Sequence, residues 1–174
     1  MFYAMDNHRI NHAAATDAVD SPQGELRIAL FPGSFDPFTI GHADIVKRAL
    51  AMFDKVVIGV GVNENKHNQW PTAQRVDAIR KIYCGNPCVE VVSYECLTVD
   101  IARQVGADFI LRGIRSVKDF EYERDIAGVN KRLSGIETVF LLSDPAYADI
   151  SSGVVRELMA FGKDVSAFLP HPEG

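Results

Sequence analysis

The sequence predicts an α/β fold, a five-stranded parallel sheet with helices on both faces. Three observations predict it. From Arg27 onward, short apolar stretches alternate with amphipathic stretches of helical period. A loop rich in Gly and Pro joins the first apolar stretch directly to the first helix. Polar and glycine-containing signals recur where the apolar stretches end, which is where ligands sit in parallel sheets.

The elements follow in order. Strand one runs from Arg27 to Phe31, and helix one from Gly41 to Phe53. Strand two is Lys55 to Gly61. Pro71 then precedes a helix from Thr72 to Tyr83, with Val76, Ile79 and Ile82 at helical spacing. Strand three is Val89 to Ser93, helix three Val99 to Val105, and strand four Phe109 to Leu111. Helix four is Lys118 to Leu133, strand five Glu137 to Leu142, and the last helix Ser152 to Phe161. Short βα repeats of this kind close through right-handed crossovers into a parallel sheet.

Composition bounds the function. At 174 residues, 47% apolar and 24% charged, the chain fits one soluble globular domain with a proper core. No apolar run approaches the roughly 18 residues that span a membrane. The first 25 residues carry Asp6, Asp17, Asp20 and Glu25 against Arg9 alone, and the rest holds 17 basic and 19 acidic residues. A nearly neutral body argues against general nucleic-acid binding, which needs a broad basic surface. The stretch Met1 to Gln23 is small and polar, without the apolar and basic regions of a signal peptide. Residues 1–25 are expected to be a disordered extension, and residues 26–174 a single domain. Cys84, Cys88 and Cys96 match neither a CxxC pair nor a zinc ribbon, so reduced, partly buried thiols of a cytoplasmic protein are expected.

The stretch Leu30 to Leu50, LFPGSFDPFTIGHADIVKRAL, organises the rest. A strand, a loop of Pro32, Gly33, Ser34 and Pro37, and a helix opened by Gly41 and His42 make a natural seat for phosphate, through backbone amides and the helix N-terminus. At the positive end of a helix, His42 can present an N–H donor without acting as a base. After strand two come Asn63, Glu64, Asn65 and Lys66; after strand four, Arg112-Gly113-Ile114-Arg115; after strand five, the helix entry Asp149-Ile150-Ser151-Ser152-Gly153. Each has a plainer reading beside this one: a capping histidine, a solvated Lys66, an ion pair of Arg112 with Asp108 or Glu123, and serine N-caps. Four strand ends carrying such groups together favour a phosphate-handling site. The chain has no GxxxxGK[ST], and Gly59-Val60-Gly61 lacks the third glycine of a dinucleotide fingerprint.

PGSFDPFTIGH resembles the [TH]xGH signature of the Rossmann-like nucleotidylyltransferases, with Thr39-Ile40-Gly41-His42 in place. RGIR and DFEYE extend the resemblance to the bacterial phosphopantetheine adenylyltransferases, over about Arg27 to Pro170. That resemblance implies transfer of AMP from ATP to 4'-phosphopantetheine, giving dephospho-coenzyme A and pyrophosphate. It implies a catalytic set of His42, Lys66 and Arg112. ATP contacts would come from Ser34, Phe35, His42, Gly113, Ile114, Arg115, Glu123, Tyr147, Ala148, Asp149, Ile150, Ser151, Ser152 and Gly153. Contacts to phosphopantetheine would come from Ser34, Lys66, Thr98 and Arg112. It further implies a homohexamer and feedback by coenzyme A; Mg²⁺ is expected to accompany ATP rather than occupy a protein metal site, and composition and charge predict neither nucleic-acid nor membrane partners. Two positions depart from the family pattern: Gly153 lacks a hydroxyl usual there, and Asp149 replaces an aromatic or apolar residue.

The chemistry asks for such residues. A phosphate monoester attacking the α-phosphate of ATP is already an anionic nucleophile, so the protein must align two phosphates and stabilise negative charge. Two other readings compete. One is a nicotinate mononucleotide adenylyltransferase, which shares GSFDP, GH and ISS; the other is a non-catalytic adenine-nucleotide sensor that keeps the loop geometry. RGIR with DFEYE speaks against the first. The presence of His42, Lys66 and Arg112 together speaks against the second, because a sensor needs no transition-state stabilisation. A cytidylyltransferase is disfavoured by the missing RTEGIS-type signature.

Overall fold

The computed structural model describes residues 26–62 and 68–171. The expected extension 1–25 and Lys66 therefore lie outside the described residues. Five strands, β1 (Ile28–Gly33), β2 (Lys55–Gly61), β3 (Val89–Tyr94), β4 (Phe109–Ile114) and β5 (Glu137–Leu142), alternate with α1 (Ile40–Ala49), α2 (Thr72–Ile82), α3 (Thr98–Gln104), α4 (Val117–Ser134) and α5 (Ser152–Ala160). The strands pair in parallel in the order β3-β2-β1-β4-β5.

Alternation along the strands sends side chains to both faces. Ala29, Phe31, Val56, Ile58 and Val60 pack with Ile45 and Val46 of α1 and Val76 and Ile79 of α2. On the other face Leu30, Val57 and Ile110 pack with Val99, Ile101 and Ala102 of α3. The sheet is thus covered on both sides, as the βα alternation predicts.

Three boundaries differ from expectation by more than one residue, and the rest agree to within one. β1 runs on through Pro32 and Gly33, which pair with Gly59 and Val60 of β2. α1 stops at Ala49 rather than Phe53: Leu50 caps it, the chain turns, and Phe53 folds back into the core. β4 continues past Leu111 through Arg112, Gly113 and Ile114, which pair with Phe140, Leu141 and Leu142 of β5. A polar Arg and a Gly end the apolar run in the sequence but not the hydrogen-bonded ladder.

The chain leaves β1 toward β2 and β3, then crosses back to β4 and β5 on the opposite side of β1. This reversal is the switch point at which open parallel sheets form a crevice. β1 and β4 pair only at Ala29 with Phe109 and Leu30 with Ile110. Beyond these two pairs the strands part, and the gap opens toward Gly33, Ser34 and Arg112.

Candidate active site

Two adjoining cavities occupy this gap. The first, of about 400 Å³, is walled by the loop after β1, the first turn of α1, the end of β4 and the entry to α5. The second, of about 330 Å³, reaches past Gly61, Tyr94, Thr98, Asn130 and Thr138. They share Pro32, Gly33, Ser34, Arg112 and Glu123.

His42 stands in the first cavity, and its chemistry is set by the residues that open α1. The Thr39 backbone N–H donates to His42 Nδ1 at 3.0 Å, and Thr39 Oγ1 lies 3.0 Å from the same nitrogen. The ring is flanked by Phe35 at 5.1 Å and Phe38 at 5.3 Å between centroids. Burial among these rings, helped by the charges of Arg115 and Arg112, lowers its pKa to about 4. An Nδ1 that accepts a backbone N–H, in a ring too reluctant to take a second proton, leaves Nε2 carrying the hydrogen. His42 is therefore built as a neutral donor.

Arg112 lies inside β4, not in a loop after it, and its fork is already engaged. Its Nε donates to Glu123 Oε2 at 2.8 Å, Nη2 donates to Glu123 Oε1, and Nη1 donates to the Pro32 carbonyl across the gap between β4 and β1. Glu123 is 9% exposed and so buried, although its DFEYE run reads as a solvated helix face. Asp108 does not pair with Arg112; it accepts the Ile28 N–H at 2.9 Å. Five donor hydrogens on a guanidinium leave Arg112 two for a ligand.

Arg115 pairs with Asp119 at 3.1 Å, at the start of α4 where Ser116 accepts the Asp119 amide. At the α5 entry the two serines divide their work: Ser151 caps the helix by accepting the Val154 N–H at 3.1 Å, and Ser152 donates to the Pro37 carbonyl at 2.8 Å. Of the residues expected at the nucleotide, Ser34, Phe35, His42, Gly113, Arg115, Glu123, Tyr147, Ile150, Ser151, Ser152 and Gly153 line the first cavity. Ile114, Ala148 and Asp149 do not. Ile114 is turned into the core at 3% exposure, and Ala148 and Asp149 are exposed to solvent. The exposure of Asp149 keeps its carboxylate off the cavity wall. Thr98 lines the second cavity, its Oγ1 3.5 Å from the Tyr94 hydroxyl.

The structure adds residues that the sequence reading passed over. Arg156 of α5 lines the first cavity and donates to the Asp36 carbonyl at 2.5 Å. Asp36 is 3% exposed and accepts the Gln69 and Trp70 amides at 2.8 and 3.1 Å. Arg75, also 3% exposed, stands at i, i+4 and i+7 with Ile79 and Ile82, so its place on the apolar stripe was a signal in the sequence. Thr138 Oγ1 is buried beside the second cavity without a partner among the described residues.

Comparison with known proteins bears on this geometry. A model of the cytidylyltransferase-like family matches residues 30–158. A phosphopantetheine adenylyltransferase of Bacteroides fragilis is 55% identical over 145 residues, 83% of this chain and 97% of that one. One from Phocaeicola vulgatus is 57% identical, over 83% and 96% of the two chains. One from Leuconostoc citreum is 49% identical, over 83% and 92%. Among solved structures, a putative nicotinate-nucleotide adenylyltransferase from Vibrio parahaemolyticus superposes with a TM-score of 0.60 at 20% identity, covering 83% of this chain and 94% of that one. At that identity the likeness shows the shared fold alone. The relatives that span nearly their whole length at half identity decide the matter: the chain belongs to the phosphopantetheine adenylyltransferase family.

Proposed function

We infer that this protein moves AMP from ATP to 4'-phosphopantetheine, giving dephospho-coenzyme A and pyrophosphate. The observation that carries this reading is the junction of the two cavities at Ser34 and Arg112, beside a histidine held as a neutral donor. Two substrates can lie in adjoining chambers with their phosphates meeting there. The first cavity suits the nucleotide, with the N-termini of α1 and α5 and the Arg115 and Arg156 guanidinia on its walls. The second suits the pantetheine arm, with apolar Ile110, Ile126 and Ala127 and the polar Asn130 and Thr138.

The acceptor phosphate attacks the α-phosphorus while His42 Nε2–H, the Arg112 donors and the Lys66 ammonium neutralise charge that grows on the phosphate oxygens. Lys66 enters on sequence grounds, between β2 and α2. Among the described residues no three His, Cys, Asp or Glu side chains converge into a metal cage. An Mg²⁺ carried in with ATP would offset the charge of its phosphates.

Self-association as a hexamer draws support from Tyr122, Ile126, Val129 and Leu133, an exposed apolar stripe at i, i+4, i+7 and i+11 of α4. Coenzyme A, which contains both the pantetheine arm and the nucleotide, could fill the same two cavities as a feedback inhibitor. A cytoplasmic setting is the reading that free thiols favour; Cys84, Cys88 and Cys96 are free, though exposed rather than partly buried as the sequence suggested.

The deciding assay is pyrophosphate release with Mg²⁺-ATP and either 4'-phosphopantetheine or nicotinate mononucleotide. Turnover with phosphopantetheine alone is expected. Turnover with the mononucleotide alone would replace this reading with the rival adenylyltransferase, and binding of ATP without turnover on either would leave a nucleotide sensor.

A further inference from the structure

Four carbonyls of the segment from Pro32 to Pro37 are held by side chains from three different elements. Arg112 of β4 takes Pro32, Arg75 of α2 takes Ser34, and Arg156 and Ser152 of α5 take Asp36 and Pro37. Three of these four side chains line the first cavity. Arg75 does not; it lies on the other side of the loop, against Phe35, Phe38 and Trp70.

Its bonding is unusual for a residue so placed. Nη1 donates to the Ser34 carbonyl and lies 3.4 Å from that of Gly61, Nε donates to the Trp70 carbonyl at 3.1 Å, and Nη2 donates to Thr72 Oγ1 at 2.7 Å. No ion pair among the described residues includes it. Burying a guanidinium is costly even with the buried Asp36 carboxylate near enough to favour its charge, and packing of α2 alone would be served better by an apolar side chain. The placement calls for a role that an apolar residue could not fill.

The peptide between Ser34 and Phe35 supplies one. In a trans peptide the C=O and the following N–H point in opposite directions. With the Ser34 carbonyl drawn toward α2, the Phe35 N–H is turned away from α2, toward the side where His42, Arg115 and Ser151 wall the cavity. Phe35 sits at φ 47°, in the left-handed region that an L-residue avoids unless its surroundings impose it. Among the described residues the Phe35 amide has no acceptor. A free amide on a left-handed residue, aimed at a cavity beside cationic side chains, is a donor suited to an anion.

We propose that Arg75 is a positioning residue: by holding the Ser34 carbonyl it fixes the Phe35 N–H as a donor to a nucleotide phosphate oxygen. This rests on the nucleotidyl-transfer reading above. Arg75 touches no reactant; it acts through one peptide plane.

The test uses the full chain as wild type, Arg75→Lys and Thr72→Val. Two quantities are read: kcat/KM for ATP with phosphopantetheine, and the Phe35 amide shift in phenylalanine-¹⁵N spectra on adding inorganic pyrophosphate. In the wild type, pyrophosphate should move the Phe35 amide downfield. Arg75→Lys, which keeps the charge but loses the fork, should lower kcat/KM about ten- to a hundredfold and abolish the shift. Thr72→Val releases one arm of the fork, should fold normally, and should lower kcat/KM about three- to tenfold with a smaller shift; it decides the matter if Arg75→Lys does not fold. Folded variants with kcat/KM within twofold of wild type and an unchanged Phe35 shift would reduce Arg75 to a staple for α2. A wild type inactive with phosphopantetheine would overturn the functional reading, while the pyrophosphate shift in the three proteins would still decide the role of Arg75.

Discussion

Arg112 on β4 and Glu123 on α4 face each other fork to fork, with Nε donating to Oε2 at 2.8 Å and Nη2 to Oε1, and neither side chain is fully open to water. The pair fixes the plane of the guanidinium, so that the hydrogens left over point in a set direction. Glu123→Gln keeps the size and replaces one acceptor by a donor that opposes Nη2. The expected outcome is a loss of about 1–2 kcal/mol in stability, seen in denaturant melts. kcat/KM for phosphopantetheine should fall about tenfold, because Arg112 loses its orientation rather than its charge.

His42→Ala should lower kcat about a hundredfold or more, as for loss of one preorganised donor, while ATP affinity changes by less than about fivefold. Equilibrium binding of ATP alongside steady-state rates separates the two effects. An equal loss in both would mean that His42 serves binding rather than the transition state. Removing the acceptor of the Thr39 amide should also cost about 1 kcal/mol of stability at the N-terminus of α1.

The lowered pKa of His42 fixes the sign of a pH dependence. Above about 6.5 the ring is neutral in both folded and unfolded chains and contributes no slope. Between about 6.5 and about 4 the unfolded ring binds a proton that the folded ring refuses, so stability falls as pH falls, by about 3 kcal/mol across the window. Asp54 and Asp164, held below the usual carboxylate range by the backbone N–H groups of Arg27 and Ser166, also lose their contribution as pH falls, but lower on the scale. Ring ¹⁵N spectra should show His42 as the Nε2–H tautomer from pH 9 down to about 5. Any limb in the activity profile near pH 6 should then follow the acceptor phosphate, whose second ionisation lies at about 6.

Two glycines of the site should respond in opposite ways. A Cβ on Gly33 would lie 2.8 Å from Cζ of the buried Phe35 ring, so Gly33→Ala should cost about 1–3 kcal/mol and displace the loop. A Cβ on Gly153 would meet nothing nearer than Ser151 Oγ at 3.7 Å. Gly153→Ser should therefore be accommodated, raise stability by about 0.5 kcal/mol through helix propensity, and lower KM for ATP up to about fivefold if the hydroxyl reaches a phosphate. Thermal melts and ATP titrations of both variants check this pair of outcomes.

The βα alternation made the sheet, its parallel sense and its two helical layers legible, because apolar period and turn residues are local signals. The loop after β1 was legible for the same reason. What escaped were relations between distant residues. Arg112 reads as the start of a loop because an arginine ends the run FIL, and only its partner strand β5 keeps it in the ladder. Glu123 reads as solvated because it stands in the charged run DFEYE, and α4 buries it against Arg112 from 11 residues away. Arg75 was visible on the stripe with Ile79 and Ile82, yet a long side chain can usually lead its charge out to water. Nothing local says that this one turns inward to a carbonyl 41 residues earlier.

The clamped loop has a consequence for how the chain can vary. Side chains from positions 75, 112, 152 and 156 shape the backbone at positions 32, 34, 36 and 37 by reading carbonyls, and a carbonyl is the same whatever residue bears it. The instructions for the loop are thus written largely elsewhere in the chain, as many as 120 residues away at Arg156. In an exhaustive substitution library under selection for growth, intolerance should gather at these remote grips as strongly as at the loop itself, and a transplanted loop sequence without them should lose its shape.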